Sequence, residues 1–427
     1  MREDLLLESI RQVSIPFGTR DSMDQLIKHA AKAQYVLLGE ASHGTSDFYT
    51  VRAELSKRLI AEHGFRFIAV EGDWPACYTL NRYVKGYSDA AADAGTALDD
   101  FNRWPTWMWA NEEIRELAGW LREFNKDKPD AEKVGFYGID VYSLWESMDE
   151  ILKVLETQDK TDLEAARKAF ECFEPFGRDE QSYGISASLY GEGCEDQVIA
   201  LLGRLQDKWK DAHPGDQERA LSAELNAMAV KGAEAYYRTM IRHDADSWNV
   251  RDRHMVSALE KLVEFHGEHS RVLVWEHNTH VGDARATDMA SEGMVNVGQL
   301  LREKHGSQVY AIGFGTYEGT VIAGRSWGAP MEEMKVPPAI RNSWEELLHR
   351  NTAQDQLLLM DPEDPALGEI TVGHRAIGVV YHPERERGNY VPTVISRRYN
   401  AFIYLDHTKA LRPLAFSNSR YVSGNVK

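Results

Sequence analysis

The sequence predicts an α/β fold: a mainly parallel sheet flanked by helices, with a large all-helical insertion covering its cleft. Three observations lead there. The short apolar runs YVLLGE, FRFIAVEG, VGFYGIDV and RVLVWEHNTH alternate with stretches of helical periodicity, the order expected of buried parallel strands joined by crossovers. Each of these runs ends on ionisable residues. Between residues 145 and 268 the strand signal disappears and only helical periodicity remains.

Taken in order, a helical stretch opens the chain and YVLLGE reads as the first strand of the sheet. TSDFYTVRAELSKRLIAEHG then has apolar residues at helical spacing with Gly64 as its stop, and FRFIAVEG follows at once. Strand, helix, strand is the unit of a right-handed parallel crossover. The next helix, PACYTLNRYVKG, places Pro75 in its first turn, where a missing donor does no harm. The segment FNRWPTWMWANEEIRELAGWLREFN concentrates Trp104, Trp107, Trp109 and Trp120 ahead of the strand VGFYGIDV. Such clusters fill cores, but pockets are also rich in aromatics, and Trp107 is a candidate for a pocket wall. The insertion reads as the helices YSLWESMDEILKVLET, TDLEAARKAFECF, CEDQVIALLGRLQDKW, QERALSAELNAMAVKGAEAYYRTMIRH and WNVRDRHMVSALEKLVEFH, with polar breaks such as AHPGD. Strands resume at RVLVWEHNTH, SQVYAIGFGTYEGTVIAG, LLLM, RAIGVVYHP and TVISRRYNAFIYLD. With no repeat and no low-complexity linker, residues 1–427 are expected to form a single domain that contains the insertion.

Composition narrows the partners. A formal net charge of −18 opposes binding to a phosphate backbone, so nucleic acid is not an expected partner. No apolar run approaches the ~20 residues of a membrane span, and the start MREDLLLESIRQ has acids where a signal peptide needs a basic end. A cytoplasmic protein without a membrane partner is expected. Cys77, Cys172 and Cys194 are odd in number and widely spaced, which suits neither a disulfide framework nor a zinc motif, so they read as small buried hydrophobes.

In an open parallel sheet, chemistry collects beyond the carboxyl ends of the strands. There the runs deliver Glu40 with His43, Glu71, Asp140, and His277 with His280, and after Glu71 come Asp73 and Trp74, which are expected to contact substrate. A carboxylate beside an imidazole raises its basicity and fixes its tautomer if the two are hydrogen-bonded. A plainer reading has His43 capping the next helix and Glu40 holding a backbone amide. It weakens because several strand ends supply such groups to one rim. Two histidines with two carboxylates also suit zinc or iron, yet HNTH is not HExxH and its rings need not converge on a turn, so neither metal nor cofactor is expected. A literal GxSxG spans Gly324 to Gly328, but APMEEMKVPPA follows, with prolines at 330, 337 and 338. A nucleophile elbow turns straight into a helix. Ser326 and Trp327 are therefore expected on a loop over the cleft, where they contact substrate.

The motifs GEASHGTSDFYTVRAELSKRLI, VEGDWPACYTLNRYV, VGFYGIDVYSLWESM, SWNVRDRHM, VWEHNTHVGD and RSWGAPMEEMKVPPA together resemble the erythromycin esterase family, over nearly the whole chain. The resemblance implies an α/β sheet with a helical insertion, and hydrolysis of an ester or macrolactone by water rather than through a serine acyl-enzyme. It implies as active residues the glutamate and histidine of the GExxH turn, an arginine nine residues on, the glutamate ending the second strand and both histidines of the HNxH turn. In this chain these are Glu40, His43, Arg52, Glu71, His277 and His280. A small-molecule ester or lactone is the expected partner. Arg52 has two roles open to it, holding a carboxylate by a salt bridge or stabilising an oxyanion. A metal-dependent hydrolase built on the same cluster, and a binding or biosynthetic protein that uses the cleft without hydrolysis, stay as alternatives.

Overall fold

The strands are β1 (Ser14–Pro16), β2 (Tyr35–Leu38), β3 (Phe65–Val70), β4 (Gly135–Gly138), β5 (Arg271–Trp275), β6 (Val309–Gly324), β7 (Met331–Val336), β8 (Gln356–Leu359), β9 (Val372–Arg375), β10 (Tyr390–Thr393) and β11 (Ala401–Thr408). They come from a computed structural model that describes residues 2–158, 160–190, 193–209, 217–241, 244–364 and 366–414. The large sheet runs in the order β1-β8-β11-β6-β2-β5-β3-β4, and β7 pairs with β6 outside this path. From β11 to β4 every neighbouring pair is parallel, while β8 joins β11 and β1 antiparallel at the far edge. The fold is the expected α/β architecture with a mainly parallel sheet.

The alternation of side chains explains why the sheet is covered on both faces. In β2, Val36 and Leu38 enter one apolar core while Tyr35 and Leu37 enter the other. In β5, Leu273 and Trp275 face the first core, and Val272 and Val274 the second. The helix Ser46–His63 covers the first face and ends at Gly64, whose φ of 70° lies in the left-handed region that glycine adopts without strain. The helix Asp244–His266 covers the second face through Met255, Leu259 and Leu262.

Among the described residues between β4 and β5, helices are the only regular elements. They build a separate core around Trp145, Phe173, Tyr183 and Leu205, and Tyr142, Glu146 and Trp248 from this region form part of the cleft wall. The helix Glu180–Tyr190 was not anticipated from the sequence, and the break AHPGD lies outside the described residues. Cys172 and Cys194 form a disulfide, which corrects the expectation of isolated buried thiols; Cys77 is free and buried as expected. Spacing hid the pair because folding of the helices, not a sequence motif, brings the two together. RAIGVVYHP is likewise not a strand. Ile377 bridges singly to Ser42 and Val380 to Gly324, so the segment threads across strand ends instead of lying along one neighbour. Among the described residues no helix is long and apolar enough to cross a membrane.

Candidate active site

The strand ends that carry the ionisable groups are adjacent and level. Leu38 pairs with Trp275, Trp275 with Val70, and Val70 with Gly138. The residues immediately after β2, β3, β4 and β5 therefore emerge side by side into a cavity of about 590 Å³, lined by His43, Glu71, Asp140, Arg251, His277 and His280 at its base. That volume lies within the ~300–1,000 Å³ of small-molecule sites.

The turn after β2 is held from three sides. The Ala41 carbonyl accepts from Ile377 N–H at 2.8 Å, the Glu40 carbonyl accepts from Asn278 N–H at 2.9 Å, and any side chain at Gly44 would run into the Ile322 carbonyl. This places His43 Nδ1 2.9 Å from Glu40 Oε1, while Arg52 Nη2 donates to Glu40 Oε2 at 2.5 Å. A carboxylate only accepts, so the ring proton sits on Nδ1 and the lone pair of neutral His43 is on Nε2. Nε2 lies 4.0 Å from Glu71 Oε1, too far for a direct bond and within reach of one bridging water. Burial alone would depress the pKa of His43, but the Glu71 and Glu40 carboxylates outweigh it and leave the ring above its ordinary value.

Glu71 is the hub. Its Oε1 accepts from Arg251 Nη2 at 2.6 Å and lies 3.5 Å from His280 Nε2; its Oε2 accepts the backbone N–H of His277 at 2.8 Å. Burial opposes its ionisation, yet His280, His43 and Arg251 hold it well below the usual carboxylate range. His280 is oriented by Asp252, whose oxygens lie 2.9 and 3.0 Å from Nδ1, and the indole of Trp248 stacks on its ring at 4.5 Å. Its Nε2 is then the acceptor for Arg251 Nη1 at 3.1 Å. His277 is built the other way round. It caps the short helix Asn278–Val281 by accepting the Thr279 N–H on Nδ1, which puts its ring proton on Nε2. That Nε2 has no hydrogen-bond partner among the described residues, although the Ala41 carbonyl favours a ring proton. Burial, then the neighbouring His43, push the pKa of His277 far below the ordinary value, so the ring is a neutral donor, with Nε2 itself buried, on a residue that lines the cavity.

A family model described as erythromycin esterase matches residues 60–408. The chain belongs to the erythromycin esterase family. It is 23% identical to the erythromycin esterase type II of Escherichia coli over 359 residues, covering 74% of this chain and 78% of that protein. Solved structures agree in fold. A succinoglycan biosynthesis protein superposes with a TM-score of 0.78 at 20% identity, covering 96% of this chain and 99% of that one. A histidine-to-asparagine mutant of the erythromycin esterase EreC, in its open conformation, gives 0.65 at 19% identity over 91% and 94%.

The family match begins after Glu40, His43 and Arg52, so the place of these residues in the site rests on the GExxH turn and on geometry. His43, Glu71, His277, His280, Asp73 and Trp327 lie on the cavity wall; Asp73 is clamped by Arg103 at 2.7 Å. Arg52 does not reach the wall. It is fully buried between the rings of Tyr49 and Trp275, at 4.4 and 4.6 Å, so of the two roles open to it the geometry favours the salt bridge with Glu40 over contact with an oxyanion. Trp74 and Trp107 are corrected. Trp74 packs on Tyr137 at 5.7 Å and bonds Ser222, while Trp107 sits in the core beneath the sheet face, because each apolar ring gains more from full burial than from a wet wall. Ser326 is exposed in the turn between β6 and β7, with no helix after it and no place on the wall. The neighbouring Trp327 does meet Trp104 across the cleft mouth at 4.7 Å.

Sequence reasoning missed Arg251, Asp252 and Glu276. The first two were visible in SWNVRDRHM only as charges on a helix. Glu276 is fully buried with neither oxygen bonded among the described residues, and burial together with Glu71 and Asp252 pushes its pKa far up, favouring the neutral acid. No three His, Cys, Asp or Glu side chains among the described residues converge as a metal site does.

Proposed function

We propose that this erythromycin esterase family member hydrolyses an ester or macrolactone, with macrolides such as erythromycin among the candidate substrates, by water activated at His43 and without a covalent acyl-enzyme. The observation that carries the reading is the Arg52–Glu40–His43 chain, which leaves an unprotonated Nε2 facing Glu71 across a water-sized gap. A second observation supports direct attack by water: among the described residues the cavity wall has no serine and no cysteine. Water between His43 and Glu71 gives one proton to Nε2 as its oxygen attacks the carbonyl carbon. His277 Nε2–H donates to the carbonyl oxygen as charge develops there. Collapse of the tetrahedral intermediate breaks the C–O bond, and the His43 imidazolium returns the proton to the leaving alkoxide. Acid and alcohol are the products.

The chain is read as one unit whose helical insertion closes the cleft. In the cytoplasm, where we place the enzyme, glutathione holds thiols reduced, so the Cys172–Cys194 bond belongs to oxidising conditions. The test is a panel of lactones, carboxylic esters and activated acyl compounds with wild type and His43→Ala. Turnover by wild type that falls ~10²–10⁴-fold in a folded His43→Ala supports the reading. Hydrolysis of nothing on the panel, or normal turnover by His43→Ala, overturns it.

A further inference from the structure

We propose that Arg251 is a catalytic residue of this site, presenting one N–H of its guanidinium to the carbonyl oxygen of the ester as that oxygen gains charge. The inference rests on the hydrolytic reading above. A guanidinium has ~5 N–H bonds in a fixed plane. Those of Arg251 are almost all spent on orientation: Nε donates to Asp140 Oδ1 at 2.8 Å, Nη2 to Asp140 Oδ2 at 2.7 Å and to Glu71 Oε1 at 2.6 Å, and Nη1 to His280 Nε2 at 3.1 Å. The second N–H of Nη1 has no partner among the described residues, and the side chain lines the cavity. The group lies 4.7 Å over the ring of Tyr142, which fixes its plane from one face.

The arrangement has a chemical reason. An oxyanion forming beside His43 forms beside Glu71 and, one strand further on, Asp140, both carboxylates. Repulsion from these two would raise the barrier. Arg251 bridges both and keeps one Nη1 donor unspent on a side chain that lines the cavity, so the rising negative charge meets a cation that is already oriented and partly desolvated, with 11% of its side chain exposed. Arg52, the cation nearer to His43 in sequence, is sealed behind Glu40 and cannot do this. In the reaction His277 and Arg251 together hold the oxygen while the proton travels from water to His43 and on to the alkoxide.

The experiment compares wild type, Arg251→Ala, Arg251→Lys and His43→Ala on the fastest ester of the panel, and measures binding of the matching methylphosphonate monoester, an anionic mimic of the tetrahedral intermediate. Arg251→Ala is expected to lower kcat ~10²–10³-fold with little change in KM. Its affinity for the phosphonate should fall by a similar factor, while His43→Ala, which lacks only the base, still binds it. Added methylguanidinium should restore part of the rate. An Arg251→Ala enzyme that loses rate yet binds the phosphonate like wild type overturns the inference, since the arginine would then serve only to order Glu71. Should Arg251→Ala fail to fold, Arg251→Lys keeps the charge without the fork; wild-type kcat and phosphonate affinity in that variant also overturn it. A panel on which wild type is inert removes the hydrolytic reading itself, whereas an active wild type with an inert His43→Ala and an unimpaired Arg251→Ala removes this inference alone.

Discussion

Replacing Glu40 by Gln exchanges one carboxylate oxygen for an NH₂ group and tests the tautomer argument directly. In the native site Glu40 accepts twice, from His43 Nδ1 at 2.9 Å and from Arg52 Nη2 at 2.5 Å. An amide keeps one acceptor and gains a donor. Arg52 has only donors and is fully buried, so the amide oxygen must turn to it, leaving the NH₂ group facing His43. Two donors cannot face each other in a buried site without cost, and His43 relieves the clash by moving its proton from Nδ1 to Nε2. The lone pair then points away from the cavity and the general base is lost. Loss of general-base catalysis costs ~10²–10⁴-fold, and the corresponding Asp-to-Asn change in a serine-protease triad about 10⁴. At ~1.4 kcal/mol per tenfold, the barrier rises by roughly 3–6 kcal/mol. The assay is steady-state hydrolysis with the melting transition as a fold control, together with nitrogen NMR of the imidazole, which reads the protonated nitrogen without any substrate. A folded Glu40→Gln enzyme whose kcat stays within about threefold of wild type, against the ~10²-fold minimum expected, would refute the reasoning. So would a ring proton that remains on Nδ1.

The same geometry sets other outcomes. His43 works as a base only when neutral, and Glu71 with Glu40 outweighs burial in raising its pKa, so kcat/KM should climb with pH through a midpoint above the ordinary ~6.5; a midpoint below that value would mean that burial wins. Because no three His, Cys, Asp or Glu side chains among the described residues converge as metal ligands do, the full pH curve should survive exhaustive chelation. Activity that vanishes on chelation and returns with stoichiometric zinc would make the same residues metal ligands. Ser326→Ala should hydrolyse like wild type, since Ser326 is exposed and off the cavity wall; a fluorophosphonate that inactivates the enzyme by labelling Ser326 contradicts this. Thiol titration of unfolded protein purified under oxidising conditions should find Cys77 alone, and all three cysteines after reduction. Three reactive thiols before reduction would show that the Cys172–Cys194 bond does not form.

The fold was readable because its determinants are local. A buried strand needs an apolar run and a crossover helix needs a 3.6-residue period, and both are properties of consecutive residues, as YVLLGE and the helix that ends at Gly64 illustrate. Glu40, His43, Glu71, His277 and His280 were readable for a related reason: parallel strands expose the residues just beyond their carboxyl ends at one rim, so position along the chain already implies a meeting place. Tertiary structure alone decided the features that depend on groups distant in sequence. The roles of His277 and His280 separate only through Thr279 and Asp252, which settle which nitrogen holds the proton, and Asp252 arrives on a helix 28 residues earlier in the chain. Arg251 joins Glu71 from 180 residues away, Cys172 finds Cys194 through the packing of the insertion, and Arg52 is removed from the cavity by rings at Tyr49 and Trp275. A charge, a thiol or an indole carries no record of its eventual neighbours. Whether Trp107 fills a core while Trp327 overhangs a cleft depends on which surfaces close over each, and that closure is a property of the whole chain.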